Sequence, residues 1–184
     1  MRKRKKHKLI FFSKQKMASS PVVVFITGQQ DCTQADFDQY YRPSIEHALE
    51  QGFSFAIGNA DGVDAFAKKL LWDVHHCDRV TIYDKGDKTG DIPEGSDWKL
   101  KNGFETYPDR DYQMMVDSNK IGCYLFGNSG GTGTHRNLLL FFALKVSPPN
   151  TPFKDLTLHP DEVLRLNREF HRGDTWDHKG WKFG

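Results

Sequence analysis

A stretch with two glycines carries the residues best suited to binding chemistry. Residues 57–64 read Ile-Gly-Asn-Ala-Asp-Gly-Val-Asp and lead from a short apolar run directly into an amphipathic segment. Glycine lets a backbone turn tightly and lets a bound group approach without a Cβ in the way, and the N–H groups that open a helix favour anions. The stretch predicts a phosphate site, although an ordinary strand-to-helix turn would carry the same two glycines.

Two charged positions near such loops have the chemistry to hold a ligand. Arg110 opens a predicted helix and has the geometry to clamp a phosphate with two parallel hydrogen bonds; the alternative is a pairing with the acidic surface. Asp64 lies in the first turn of another predicted helix, where a carboxylate either contacts a ribose hydroxyl or only complements the helix dipole. A second glycine-rich stretch, residues 127–134, follows a later apolar run.

Other reactive side chains lack the spacing that chemistry would need. Residues 73–78 read Asp-Val-His-His-Cys-Asp, but neighbouring helical residues point in different directions, whereas helical metal ligands are spaced by three or four. We therefore expect no metal and no cofactor. Ser129 lacks a Gly-x-Ser-x-Gly elbow, which argues against serine hydrolase chemistry.

The charge of the chain is divided unevenly. Residues 1–16 contain eight Lys or Arg and no acidic residue. The rest of the chain therefore has 18 basic residues (26 less 8) and 24 acidic ones. An acidic body predicts that nucleic acid is an unlikely partner except through residues 1–16. No apolar run approaches the ~20 residues of a membrane helix, and three cysteines without Cys-x-x-Cys spacing indicate free thiols. We expect a cytoplasmic protein with no membrane partner, or a nuclear one if residues 1–16 act as a basic signal; homo-oligomers are left open.

Strands and helices must then place these residues together. Apolar β-rich runs predict strands, and apolar residues at helical spacing predict helices. A long polar loop between them, residues 84–108, is a lid candidate, because its Trp98, Phe104 and Tyr107 either cover a flat base or anchor the loop to the core. The predicted strands are 22–27, 53–57, 79–83 and 121–126, and the predicted helices are 33–51 with a kink at Pro43, 63–74, 109–119 and, as helix or strand, 137–145.

This alternation predicts an α/β fold, a Rossmann-like doubly wound parallel sheet in a single domain. The loops after the strands that end at Gly28, Ile57 and Phe126 would meet at the carboxyl edge of the sheet, where such folds bind ligands. We divide the chain into a basic disordered extension over residues 1–20, the folded domain over 21–146, and a C-terminal extension with one short helix over 147–184.

Three motifs, in this order, resemble the SMF/DprA and LOG-like (SLOG) Rossmannoid superfamily over roughly residues 21–146. The motifs are Gly58-x-Ala60-x-Gly62-x-Asp64, then Arg110-Asp111 with Met114-Met115, then Gly131-Thr132-Gly133-Thr134-x-x-Asn137. The resemblance implies a protein that senses or carries a nucleoside phosphate or an ADP-ribose-like molecule. The expected ligand-binding residues are Gly28, Gln29, Gly58, Ala60, Asp61, Gly62, Asp64, Arg110, Asp111, Ser129, Gly130, Gly131, Thr132, Gly133, Thr134 and Asn137.

The resemblance also raises an enzymatic alternative, from which this sequence departs. Phosphoribohydrolases of the superfamily carry a Pro-Gly-Gly-x-Gly-Thr-x-Glu-Glu loop, and its two glutamates fall here on Arg136 and Asn137. A neutral amide cannot serve as nucleophile or general base. The alternative is therefore a nucleotide N-glycosidic hydrolase, or a deoxyribosyltransferase-like enzyme, that uses Asp111 or Asp64 as its catalytic carboxylate. Whether there is turnover stays open.

Overall fold

The computed structural model describes residues 21–87, 91–122 and 133–146. Several predictions made from the sequence lie outside these ranges. They concern the basic extension over 1–20, the second half of the strand at 121–126, the glycine loop up to Thr132, and the C-terminal segment from 147.

Within the described residues, five parallel strands form one sheet in the order β4-β3-β2-β1-β5. The first strand pairs on both sides, with Phe25 opposite Ala56 on one neighbour and opposite Ile121 on the other, so the strand order reverses between β1 and β5. This confirms the predicted Rossmann-like doubly wound sheet in a single domain. The strands are β1 (Val23–Ile26), β2 (Ser54–Gly58), β3 (Val80–Lys85), β4 (Lys99–Phe104) and β5 (Lys120–Gly122).

The helices follow the apolar spacing with one correction. The prediction of a single helix kinked at Pro43 is wrong, because the chain forms two helices here. Pro43 lies in the first turn of the second helix, where its missing N–H costs no helical hydrogen bond. Thr33 caps the first of them by accepting from the Asp36 N–H at 3.2 Å. The helices are α1 (Gln34–Tyr40), α2 (Arg42–Glu50), α3 (Val63–Lys69) with a π-helical segment after it (Leu70–Val74), α4 (Tyr107–Asp117) and α5 (Gly133–Val146).

Alternate residues of the strands face two separate cores. On one face Ile26 and Ile57 are fully buried against α1, α2 and α3. On the other face Phe25 and Tyr83 are buried against α4 and α5. The two-residue period of a strand makes this division, and it explains why the strands read as continuous apolar runs. Among the described helices, none is long and apolar enough to cross a bilayer.

The segment predicted as a lid contains a strand instead. Residues 99–104 form β4, which pairs with β3 at the edge of the sheet. Trp98 is buried, and its Nε1 donates to the Cys77 carbonyl at 2.7 Å. Phe104 stacks on Tyr83 with ring centroids 6.3 Å apart. Two of the three aromatic side chains therefore anchor this segment, whereas Tyr107 stays 51% exposed.

Replacing Trp98 with Phe tests that anchoring. The variant loses the hydrogen bond and leaves the Cys77 carbonyl without its donor in a buried position. We expect the free energy of unfolding to fall by about 2 kcal/mol, the cost of an orphaned buried acceptor together with a small void. Urea denaturation followed by circular dichroism measures it. A loss below about 0.5 kcal/mol would show that this edge of the sheet does not depend on the indole.

Candidate functional site

A cavity of about 630 Å³ opens at the carboxyl edge of the sheet, where the strand order reverses between β1 and β5. It is formed by the loops after β1 and β2 and by the first turns of α4 and α5, as expected for a doubly wound sheet. The structure places ten of the predicted ligand-binding residues around it, namely Gly28, Gln29, Ala60, Asp61, Asp64, Arg110, Asp111, Gly133, Thr134 and Asn137. Ser129, Gly130, Gly131 and Thr132 lie outside the described residues.

Gly58 and Gly62 lie behind the cavity wall. A Cβ on Gly58 would come within 2.4 Å of Asp64 Oδ2 and 3.2 Å of the Arg110 guanidinium. A Cβ on Gly62 would come within 2.3 Å of the Gln29 carbonyl oxygen, and Gly62 also has a φ of +70°. These glycines are needed so that side chains and loops can pack closely, and the cavity is lined by other residues.

Two of the N–H groups expected to hold a phosphate around the start of α3 are used by the protein itself. The Val63 N–H donates to the Gln29 carbonyl at 3.3 Å, and the Ala60 N–H donates to Asp64 Oδ2 at 3.3 Å. The carboxylate of Asp64 thus occupies the position where an anion was predicted. Because a second negative charge there would be repelled, this wall of the cavity disfavours phosphate.

Asp111 is the centre of a hydrogen-bonded group at the start of α4 and α5. Arg110 donates to its Oδ1 through Nε at 3.0 Å and Nη2 at 2.7 Å. Asn137 Nδ2 donates to its Oδ2 at 2.9 Å, and Arg136 Nη2 lies 3.7 Å from the same oxygen. Both oxygens of the predicted catalytic carboxylate therefore position an arginine and an amide, which fixes the far wall of the cavity.

Asp64 is a buried carboxylate with little support. It is 7% exposed, and within the described ranges its hydrogen bond comes from the Ala60 N–H alone. Burial raises the pKa of Asp64 to about 6, while the nearby Arg110 guanidinium acts in the opposite direction. Asp64 therefore changes its charge close to neutral pH, which is common at functional sites.

Tyr107 stands at the mouth of the cavity. The Thr106 side chain caps α4 by accepting from the Asp109 N–H at 3.2 Å, and Pro108 lies in the first turn. Tyr107 is the first residue of α4 and precedes the residues of this helix that are buried against the sheet. Tyr107 itself remains half exposed. Lys85 Nζ and Arg110 Cζ lie 5.2 Å and 5.0 Å from its ring centroid. The mouth combines an exposed aromatic ring with two cations.

Comparison with known proteins gives a structural likeness and no family. The sequence matches no protein-family model and no curated protein. A solved structure described as "Structural insights into the unique single-stranded DNA binding mode of DNA processing protein A from Helicobacter pylori" matches over 82% of this chain and 82% of that chain, with 13% sequence identity and a TM-score of 0.45. The Rossmann-type fold of our chain follows from the strand order and register described above.

That neighbour's description names single-stranded DNA, and this finding contradicts two predictions made from the sequence. The first was the function, a nucleotide or nucleotide-derived ligand with N-glycosidic hydrolysis as the alternative. The second was the partner, because nucleic acid was expected to be unlikely except through residues 1–16. The second prediction relied on the net charge of the body. It missed that Lys85 and Arg110 lie close to one exposed ring, although Arg110 also pairs with Asp111.

Six residues that line the cavity were not among the predicted ligand-binding residues, although Tyr107 was one of the three aromatic side chains considered for covering a base. They share no motif, and their positions follow from the ends of β1 and β2 and the starts of α4 and α5. Asn59 lies between the predicted residues Gly58 and Ala60, and Arg136 precedes the predicted Asn137. Proximity in sequence to these residues was the signal that could have identified Asn59 and Arg136. The six are Thr27, Gln30, Asp31, Asn59, Tyr107 and Arg136. Within the described ranges, no group of three or more His, Cys, Asp or Glu side chains is arranged to hold a metal ion.

Proposed function

We propose that this chain binds single-stranded nucleic acid at the carboxyl edge of its sheet, with Tyr107 as the surface on which a base stacks. The observation that carries the proposal is the half-exposed Tyr107 ring at the cavity mouth, flanked by Lys85 and Arg110. Large aromatic rings normally lose most of their exposure on folding, so an aromatic ring left open beside a cavity is available to a ligand.

The chemistry of this mouth suits an unpaired strand. A base stacks on an aromatic ring whatever its sequence, and nearby cations neutralise the phosphates on either side of it. Lys85 is half-buried beside the ring, and Arg136, with 45% of its side chain exposed, lines the cavity wall. A duplex cannot use the site in the same way, because its bases are already stacked on one another.

The interior of the cavity suits a base or a sugar better than a phosphate. Asp64 and Asp111 line it, and the Ala60 and Val63 N–H groups beside α3 already have acceptors. An interior rich in acceptors receives the N–H groups of a base or the hydroxyl of a sugar, and it repels phosphate. We therefore expect a base of the strand to enter the cavity, while the sugar-phosphate backbone of the strand lies beside the cations at the rim.

The relation to the SLOG superfamily is part of this proposal. What supports it is the position of its motifs in the fold, since Asp64, Arg110 and Asn137 come from three separate motifs and all line the one cavity. The residues proposed to contact the ligand are those that line it.

Replacing Tyr107 with Ala should weaken binding of a fluorescein-labelled oligothymidine of about 20 nucleotides. Loss of one stacking contact is worth roughly 1–3 kcal/mol, or about 5- to 150-fold in Kd. Fluorescence anisotropy at about 0.15 M salt, with the full chain, measures the change. Because so few cations reach the site, the affinity of the folded domain should depend only weakly on salt.

Two variants of the same helix control this experiment. Tyr107→Phe keeps the ring and should bind nearly as the natural chain does. Val116→Ala removes another exposed apolar side chain of α4, which is 46% exposed and does not line the cavity, and it should change nothing. The basic residues 1–16 are present in every variant, so their contribution cancels. Equal affinity of Tyr107→Ala and the natural chain, or equal affinity for duplex and single strand, would refute the proposed function.

A further inference from the structure

Among the described residues, one buried acceptor in the cavity wall, Asn137 Oδ1, has no donor, and Asp64 at the same cavity has a single one. Asn137 is 5% exposed, and its Nδ2 donates to Asp111 Oδ2 at 2.9 Å and to Thr27 Oγ1 at 3.4 Å, which fixes the amide so that Oδ1 is directed elsewhere. That Oδ1 is buried and has no hydrogen-bond partner among the described residues. Asp64 accepts one long hydrogen bond at 3.3 Å, although a carboxylate has room for several.

Such groups need an explanation, because nearly all buried acceptors in folded proteins are satisfied. Both residues line the same cavity, and they come from different elements, Asp64 from α3 and Asn137 from α5. Arg110 donates through Nε and Nη2 to Asp111, so these two donors are not used by either acceptor. A ligand that carries adjacent N–H donors suits acceptors of this kind.

Among the bases of an unpaired strand, guanine presents two adjacent donors. Its Watson–Crick edge carries N1–H next to the exocyclic N2 amino group, and the two oxygens of a carboxylate accept from this pair in parallel. Adenine and cytosine present one amino group beside a ring nitrogen acceptor, which a carboxylate repels. Thymine and uracil present one N–H between two carbonyl acceptors. Unstacked bases expose these edges for recognition.

We infer that the cavity selects guanine, with Asp64 accepting from N1–H and N2–H and Asn137 Oδ1 accepting from the remaining N2–H. The inference rests on the proposed binding of single-stranded nucleic acid, and it assigns the base that enters the cavity when the neighbouring base stacks on Tyr107. Asp111 holds Arg110 and Asn137 in place and acts here as a positioning residue.

The test uses oligothymidines that differ at one central position. This position carries thymine, adenine, guanine or hypoxanthine, the last of which is guanine without its N2 amino group. At about pH 8 the natural full chain should bind the guanine oligomer roughly tenfold more tightly than the other three, as expected when a paired hydrogen bond is lost. The comparison of guanine with hypoxanthine isolates the amino group without any change to the protein.

Asp64→Asn should bring the ratio of the guanine and hypoxanthine affinities close to one, because an amide offers one acceptor and one donor to a pair of donors. Asp73→Asn, which removes an exposed carboxylate outside the cavity, should keep the tenfold ratio. The ratio should also fall as the pH is lowered through about 6, where Asp64 becomes protonated in the field of Arg110, Asp111 and Lys68.

The outcomes separate this inference from the proposed function. Equal affinity for all four oligomers, with Tyr107→Ala still weakening binding, would refute guanine selection and leave strand binding intact. Tighter binding of guanine that persists in Asp64→Asn would also refute it, since the carboxylate would then not be the recognising group. No binding of any oligomer would refute the proposed function itself.

Discussion

Gly62→Ala is expected to lower the free energy of unfolding by about 4 kcal/mol, enough to threaten a fold of ordinary stability. Gly62 has φ +70° and ψ −123°, a conformation that residues with a side chain avoid at a cost of roughly 1–3 kcal/mol. The added Cβ would also lie 2.3 Å from the Gln29 carbonyl oxygen and 2.5 Å from that of Gln30. Both neighbours are backbone atoms, so no rotamer change relieves the contact, and overpacking adds about 1–3 kcal/mol.

Gly52→Ala is the matched control for that strain. Gly52 also has a positive φ, of +74°, but a Cβ there would meet nothing within 4 Å. It should therefore show the conformational cost alone, about 1 kcal/mol. Urea unfolding of both variants, with slopes compared to the natural chain, measures the difference. Similar losses in the two variants would mean that the loop before α3 shifts freely against the loop after β1, and that the cavity wall is not rigidly built.

Asp64→Asn is expected to stabilise the protein above about pH 6 and to have no effect below about pH 4. The pKa of Asp64 is about 6 in the folded protein against an ordinary value of 3.8. The native state therefore binds a proton more tightly than the unfolded state, and its stability falls as the pH rises through this window. At about pH 8 the ionised carboxylate costs roughly 3 kcal/mol, which the neutral amide avoids while it still accepts from the Ala60 N–H.

Urea unfolding of the natural chain and of Asp64→Asn at several pH values between about 4 and 8 tests this dependence. The two curves of stability against pH should coincide at the acid end and separate as the pH rises. Asp73→Asn controls for the loss of one negative charge at an exposed position. A variant less stable than the natural chain at about pH 8 would show that Asp64 stabilises the fold through Arg110. A stabilising variant would identify Asp64 as a residue retained for binding at the expense of stability.

The elements of the fold were largely readable from local sequence. The β-branched run before Gly28 predicted β1 because a strand buried on both faces has no polar positions. Thr33 with Asp36 predicted the start of α1, because the cap is made within four residues. The meeting of the loops after β1 and β2 at the carboxyl edge followed from parallel topology, and the cavity lies at that edge.

The strand β4 was not readable in this way. Its residues Lys-Leu-Lys-Asn-Gly-Phe are mostly exposed and include glycine and asparagine, which are poor strand formers. They become a strand because β3 offers a row of unpaired backbone groups to bond with, from Thr81 opposite Lys99 to Lys85 opposite Phe104. Pairing between distant segments therefore decided the structure here, and local preference did not.

The sequence by itself determined at which edge of the sheet the cavity lies and ten of the residues that line it, and only the tertiary structure decided what each of them does there. Gly58, Gly62 and the N–H groups beside α3 looked available to a phosphate, but Asp64 and the Gln29 carbonyl occupy that space. Asp111 looked like a free catalytic carboxylate until Arg110 and Asn137 were found bonded to it. Hydrogen bonds are shared among whichever groups packing brings within about 3 Å, so residue types alone could not show which donors and acceptors remain free for a ligand.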